Sequence, residues 1–180
     1  VALATTASYL HEIAGGRFRL GVGVTHGPVT KQLQVETGKP LSDVRNYVST
    51  MRDAAERMGG LPDIVLATLR DRMVGLSVEV GDGAVWANAS RSRMEKSLSL
   101  VPDDRLADEF WIGNMIPTVI DDDIEAARAR NRKTLQGYVA LPNYRNYWID
   151  AGVTSPILVP SSTSGGQTKA FAELFDTFSS

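Results

Sequence analysis

Residues Ile64–Leu69 form a nearly continuous apolar run. A strand with one solvent-facing side alternates apolar and polar residues, whereas a strand of a parallel sheet is covered on both sides and does not. Helical patterns flank the run, with Leu41, Val44 and Val48 spaced along one helix face before it and Met73–Val80 after it. The run therefore predicts a strand of a parallel α/β sheet.

The same alternation of strand and helix recurs along the chain. Strands are predicted at Phe18–Val24, Ile64–Leu69, Ala84–Ala87, Phe110–Ile120 and Pro156–Val159. Helices are predicted at Val1–Ile13, from Pro40 to Gly59 and Gly60, at Met73–Val80, at Ser92–Leu100, from Asp121 to Lys133 and at Ala170–Phe178. About five βα units imply parallel strands, right-handed crossovers and a single domain over residues 1–180. The pattern alone leaves open an open sheet or part of a barrel, since a complete (β/α)₈ barrel takes about 250 residues.

Charge and composition exclude several classes of protein. The 180 residues include 19 Lys plus Arg and 21 Asp plus Glu, and a net charge of -2 gives no reason to expect nucleic acid or an anionic membrane as partner. No apolar stretch approaches the about 20 residues of a spanning helix. Because there is no cysteine, disulfides and thiolate metal sites are excluded, and a cytoplasmic protein is the expectation.

Glycines lie at the carboxyl end of the first predicted strand and just after it, and a dinucleotide-binding fingerprint is the first interpretation to test. Gly21, Gly23 and Gly27 would let a phosphate approach the backbone. In that fingerprint a helix begins at once, whereas here the sequence predicts a loop as far as Lys39. Tight strand packing followed by a turn is the better interpretation.

Two further strand ends carry polar groups. Arg70 and Arg72 stand where a helix begins after the second strand, so guanidinium groups and free backbone N–H groups meet in a way that suits a phosphate. The alternative is a solvated charged turn. Asn88 and Ser90 follow the third strand, where they would bind the same ligand or cap the next helix.

Two other features have a catalytic and a structural interpretation. His26 is the imidazole at the carboxyl side of a predicted strand, where a proton donor or acceptor would be useful, although a loop histidine often has no such role. The run Asp121–Asp123 would suit a hard cation, but its place at a helix start favours N-capping.

Three segments together resemble the bacterial luciferase-like family of flavin- and deazaflavin-dependent monooxygenases and oxidoreductases. They are Ile13–His26, Ile64–Met73 and Glu79–Val85, and the similarity extends over nearly the whole chain. The resemblance implies a (β/α)₈ TIM barrel, of which this chain would be a partial barrel that lacks the first strands. It also implies an enzyme that uses coenzyme F420 or FMN to pass a hydride to a small organic substrate, or to oxygenate it.

The resemblance also implies which residues meet the cofactor. Gly23, Thr25 and His26 would lie beside the ring, with His26 as the proton-transfer candidate, while the phosphate or tail would meet Leu69, Arg70, Arg72, Asn88 and Ser90. Many family members have Gly-Pro where this chain has Arg70 and Asp71. That departure shifts the expectation from backbone N–H groups toward the arginine side chains.

The family pattern raises one expectation about the chain and leaves two alternatives. Pro142–Trp148 and Ala151–Val153 stand almost side by side where members carry a longer segment, which predicts an interruption or a rebuilt loop between Trp148 and Gly152. One alternative is a noncatalytic flavoprotein-like binding module, whose open sheet edge a second copy would cover as a homodimer. The other is a phosphosugar-type barrel enzyme, for which no acid/base pair is visible.

Overall fold

The computed structural model describes residues 2–25, 27–56, 60–107 and 110–153. The strands are β1 (Leu20–Val22), β2 (Ile64–Thr68), β3 (Gly83–Ala87) and β4 (Trp111–Met115). The helices are α1 (Ala2–Ile13), α2 (Gly27–Leu33), α3 (Pro40–Ala55), α4 (Asp71–Val80), α5 (Arg91–Leu98), α6 (Asp103–Ala107), α7 (Ile124–Val139) and α8 (Pro142–Asp150). The predicted strand Pro156–Val159, the helix after it and His26 lie outside the described residues.

The strands form one sheet in the order β1-β2-β3-β4. β1 and β2 are parallel, with Leu20 opposite Ile64, and β2 and β3 are parallel, with Val65 opposite Gly83. Strands that are neighbours in sequence are thus neighbours in the sheet, with a helix in each connection, as a βα array requires. The predicted α/β class with parallel strands is confirmed.

By its internal contacts the chain divides into two compact units. Unit 1 comprises residues 1–87 and 97–114, and unit 2 comprises residues 88–96 and 115–180. That division does not test the predicted single domain, which stays a prediction.

The core of unit 1 lies between the sheet and its helices. The stripe predicted on α3 is buried, with Val44, Val48 and Met51 at most 4% exposed. These side chains pack with Ala4 and Ala7 of α1 and with strand residues that share the same layer, namely Leu20, Val22, Ile64 and Leu66. Burial of such side chains stabilises a fold by about 1.5–3 kcal/mol each, so this layer fixes the strand ends that follow β1 and β2.

The core of unit 2 is aromatic. Tyr147 and Trp148 of α8 are fully buried, and Tyr144 is nearly so. The ring of Tyr138 on α7 meets that of Tyr144 edge to face, with centroids 4.8 Å apart. Burial first, and then the neighbouring Tyr138, raises the pKa of the Tyr144 hydroxyl, so Tyr144 stays protonated well into the alkaline range.

Two short helices were not predicted from the sequence. α2 lies within the predicted loop that extends to Lys39, and α6 begins at Asp103, directly after Pro102. Both begin beside a proline, which suits the first turn of a helix, but neither is long enough to show a repeating apolar stripe.

The fourth strand is shorter than predicted. β4 ends at Met115 instead of continuing to Ile120. Pro117 lacks the N–H that a strand interior donates, so the ladder stops before it.

The predicted interruption between Trp148 and Gly152 is wrong. α8 continues to Asp150 and closes with hydrogen bonds from Gly152 N to Ile149 O (3.0 Å) and from Val153 N to Trp148 O (3.0 Å). Gly152 has φ +81°, the left-handed conformation that ends many helices. The short join is therefore an ordered helix C-terminus. Among the described helices, none is long and apolar enough to span a membrane.

Candidate functional site

The carboxyl end of β1 makes a close approach to β2. A Cβ added to Gly23 would lie 2.8 Å from the Cβ of Ala67, so only glycine fits there without a shift of the backbone. This packing explains Gly23, as the simpler interpretation of the glycines expected. Thr25 follows on the exposed surface. A role for Gly23 and Thr25 beside a cofactor ring stays a prediction.

A cavity of about 310 Å³ opens at this end of β1. Its walls come from residues 22–25, from α2 and the segment after it, and from the first two turns of α3. Asp43 is the charged residue among the described residues that line it. This cavity could not be predicted from the sequence, in which Asp43 has the pattern of an ordinary acid in the first turn of a helix.

The turn between β2 and α4 has the features of an anion site. Arg70 is the N-cap residue, and its own side chain makes no cap hydrogen bond to the helix. The side chains of Arg70 and Arg72 are exposed, whereas that of Leu69 is buried, so Leu69 offers a ligand only its backbone. Because β1 and β2 are parallel, this turn and Thr25 lie at the same edge of the sheet.

Asn88, the first residue of unit 2, has an unusual backbone conformation and is buried. Its φ is +57° and its side chain is 2% exposed. Its backbone N–H donates to Met115 O (3.0 Å), and its carbonyl accepts from the indole Nε1 of Trp148 (3.1 Å). Neither Oδ1 nor Nδ2 has a hydrogen-bond partner in the described part of the chain. A buried polar group without a partner costs about 1–3 kcal/mol, so the Asn88 amide is a candidate for hydrogen bonds that the described residues do not supply.

Ser90 already has a local partner. It is fully buried, and its Oγ lies 2.8 Å from the Oγ of Ser92, which in turn donates to Ala151 O (3.2 Å). Ser90 also accepts a backbone hydrogen bond from Arg93 N at the start of α5. These contacts favour the alternative in which Ser90 organises the start of the helix, while its role in cofactor binding stays a prediction.

The acidic run before α7 acts as a helix cap. One carboxylate oxygen of Asp123 accepts from the backbone N–H groups of Glu125 (2.9 Å) and Ala126 (3.2 Å). Asp121 accepts from Asp123 N (3.0 Å). The N-capping interpretation is confirmed.

A comparison with known protein families identifies the family of this chain. The profile of a family described as luciferase-like monooxygenase matches residues 1–156. That range covers most of the chain and contains each of the residues predicted to meet a cofactor. A search of curated proteins found no significant match.

Proposed function

Because the chain belongs to the luciferase-like monooxygenase family, we propose that it is an oxidoreductase that binds F420 or FMN and acts on a small organic substrate. The family fold is a (β/α)₈ barrel, of which the parallel strands β1–β4 form a part. The match over residues 1–156 is the observation that carries the proposal. When bound, the reduced cofactor supplies the hydride, and the protein supplies binding and orientation.

The turn between β2 and α4 fits the phosphate of either cofactor. The N-terminus of α4, where the N-cap residue Arg70 makes no side-chain cap hydrogen bond, favours negative charge through the helix dipole, and the exposed Arg70 and Arg72 add positive charge beside it. A guanidinium binds phosphate through charge-assisted, often paired hydrogen bonds. We assign the phosphate to these two side chains and to the backbone of the turn.

Asn88 fits a different part of the cofactor better than the phosphate. Its amide lacks both a donor and an acceptor partner among the described residues, and a phosphate would leave the Oδ1 acceptor facing negative charge. A group with adjacent N–H and C=O, such as the pyrimidine edge of a flavin or deazaflavin, satisfies both atoms. We therefore propose that Asn88 contacts the cofactor through its amide. His26 remains the proposed proton-transfer residue.

The test is cofactor retention by the intact chain. The protein is incubated separately with FMN and with F420 and desalted, and the absorbance of each cofactor in the protein fraction is measured against that of a non-binding protein treated in the same way. Near-stoichiometric retention of one cofactor is the expected result and also distinguishes FMN from F420. Retention of neither would contradict the proposal and favour the noncatalytic binding module.

A further inference from the structure

We infer that the cavity at the carboxyl end of β1 binds a small organic amine with an apolar body. This cavity is called the β1 cavity, and it lies wholly within unit 1. The inference rests on the proposed function, because Gly23 and Thr25 line the cavity and are also proposed to lie beside the cofactor ring. It names the class of substrate that the ring would meet.

The size and the walls of the β1 cavity suit a compact, largely apolar molecule. Its volume of about 310 Å³ is near the lower limit of ligand pockets, which range over about 300–1,000 Å³. Apolar side chains from β1, α2, α3 and the segment after α2 form much of its surface, among them Val22, Leu33, Val35 and Val44. Val44 belongs to the rigid core, whereas Leu33 and Val35 are exposed at 62% and 55% and would gain burial from a ligand.

One carboxylate sets the charge of the β1 cavity. Asp43 makes no side-chain hydrogen bond or ion pair with any residue that the structure describes, and its carboxylate lies against Gly38. A Cβ added to Gly38 would come within 2.6 Å of Oδ1, so glycine allows that position. The described lining contains no lysine or arginine. An ammonium group therefore finds an ionic partner at Asp43, whereas a carboxylate or phosphate would be repelled by Asp43 and would find no cation in the described lining.

Hydroxyl groups complete the polar part of the lining. Thr25, Thr30, Thr37 and Tyr47 each contribute one. The hydroxyl of Thr30 already donates to Gly27 O (2.9 Å), and its oxygen retains acceptor capacity. Such groups orient a protonated amine, which donates hydrogen bonds and accepts none.

The experiment compares three probes of nearly equal shape, namely cyclohexylmethylamine, cyclohexylmethanol and cyclohexanecarboxylate. Each is titrated into the intact chain without cofactor, at neutral pH and low salt, and Kd is taken from shifts in the protein NMR spectrum. We expect the amine to bind about twofold to fivefold more tightly than the alcohol, because a partly exposed ion pair has a modest effect. The carboxylate should bind most weakly.

The variant D43N should remove the preference for the amine over the alcohol. The control is D53N, which removes the same charge from the same helix at an exposed position outside the cavity lining, and which should keep the preference. Far-UV circular dichroism checks that both variants are folded. If D43N fails to fold, the order of the three Kd values in the unmodified protein still tests the inference.

Two outcomes would overturn the inference. One is equal or stronger binding of the carboxylate, and the other is an amine preference that D43N and D53N both retain. Because these titrations contain no cofactor, they are independent of the cofactor-retention test. Cofactor retention without an amine preference would reject this substrate class and leave the proposed function intact.

Discussion

Gly23 and Asn88 are two residues at which the backbone restricts the choice of side chain. At Gly23 the restriction is space, because a Cβ would press on Ala67 across the two strands. At Asn88 it is conformation, because φ is +57°, a region that asparagine tolerates better than most residues. The sequence indicates both as site residues, Gly23 as a glycine and Asn88 as a small amide, each at the end of a predicted strand. Neither the clash nor the angle could be predicted, since both depend on a neighbouring strand.

The substitution G23A tests the packing argument. An added methyl group 2.8 Å from the Ala67 Cβ should lower the free energy of unfolding by about 1–3 kcal/mol. Urea denaturation followed by circular dichroism measures the change. The matched control is G21A, since a Cβ at Gly21 has no atom within 4 Å. Equal stability of the two variants would contradict the close approach.

A pair of substitutions tests the conformation of Asn88. Both N88G and N88A remove the buried amide, but only alanine meets the steric penalty of the left-handed region. We expect N88A to be about 1 kcal/mol less stable than N88G. Urea denaturation of the two variants measures the difference. A more stable N88A would mean that residue 88 does not have a positive φ.

At the scale of helices and strands, periodicity predicted the long elements and missed the short ones. The stripe of Val44, Val48 and Met51 predicted α3, and Asp123 marked the start of α7. α2 and α6 have only 7 and 5 residues, so their patterns are too short to repeat. β4 was overextended because an apolar composition continues past Met115, although Pro117 cannot join a ladder.

The helix cap at Asp123 gives the first prediction about an element. D123A removes the acceptor for two backbone N–H groups and should destabilise the protein by about 1 kcal/mol. D122A removes the neighbouring exposed carboxylate, which accepts from neither of those groups, and should stay within about 0.5 kcal/mol of the parent protein. Thermal unfolding at neutral pH compares the two. A larger loss in D122A would reject Asp123 as the cap.

The contact between α7 and α8 gives a pH prediction. Burial and Tyr138 raise the pKa of Tyr144 above 10.0, its ordinary value, so the unfolded chain loses this proton first as the pH rises. The folding free energy associated with the protonated hydroxyl is therefore complete below pH 10 and is lost as the pH rises through the folded-state pKa. Y144F should show less loss of stability between pH 9 and about pH 11 than the parent protein in urea denaturation. The control is Y9F, at a tyrosine that is 66% exposed.

At the scale of the whole molecule, topology is what made part of the site predictable. Parallel strands point the same way, so polar residues placed after β1 and β2 in the sequence must follow one edge of the sheet. The amide of Asn88 is different, because its lack of partners depends on how Met115 and Trp148 hold its backbone. The place of Asp43 in a cavity could not be predicted for a related reason, since the β1 cavity exists only because α2 and α3 enclose it.

Arginine substitutions at the two opposite edges of the sheet test the proposed phosphate site. R70A and R72A should each weaken binding of FMN by about 1.5–3 kcal/mol, tenfold or more in Kd, where the contact is direct. Binding of riboflavin, which lacks the phosphate, should change little, because the lost contact is to the phosphate alone. Flavin fluorescence titration measures both ligands.

The control for that comparison is R19A. Arg19 precedes β1, and its Nε lies 3.2 Å from a carboxylate oxygen of Asp63, which precedes β2. The substitution R19A therefore removes the same charge as R70A or R72A, but at the amino edge of the sheet. Because both side chains of that pair are about half exposed, its loss should have little effect on stability. R19A should bind FMN and riboflavin as the parent protein does. Equal losses for FMN and riboflavin in R70A and R72A would mean that the lost contact is not to the phosphate. If R19A weakened FMN binding to the same extent, net charge alone would account for the effect, and the phosphate site would not be at Arg70 and Arg72.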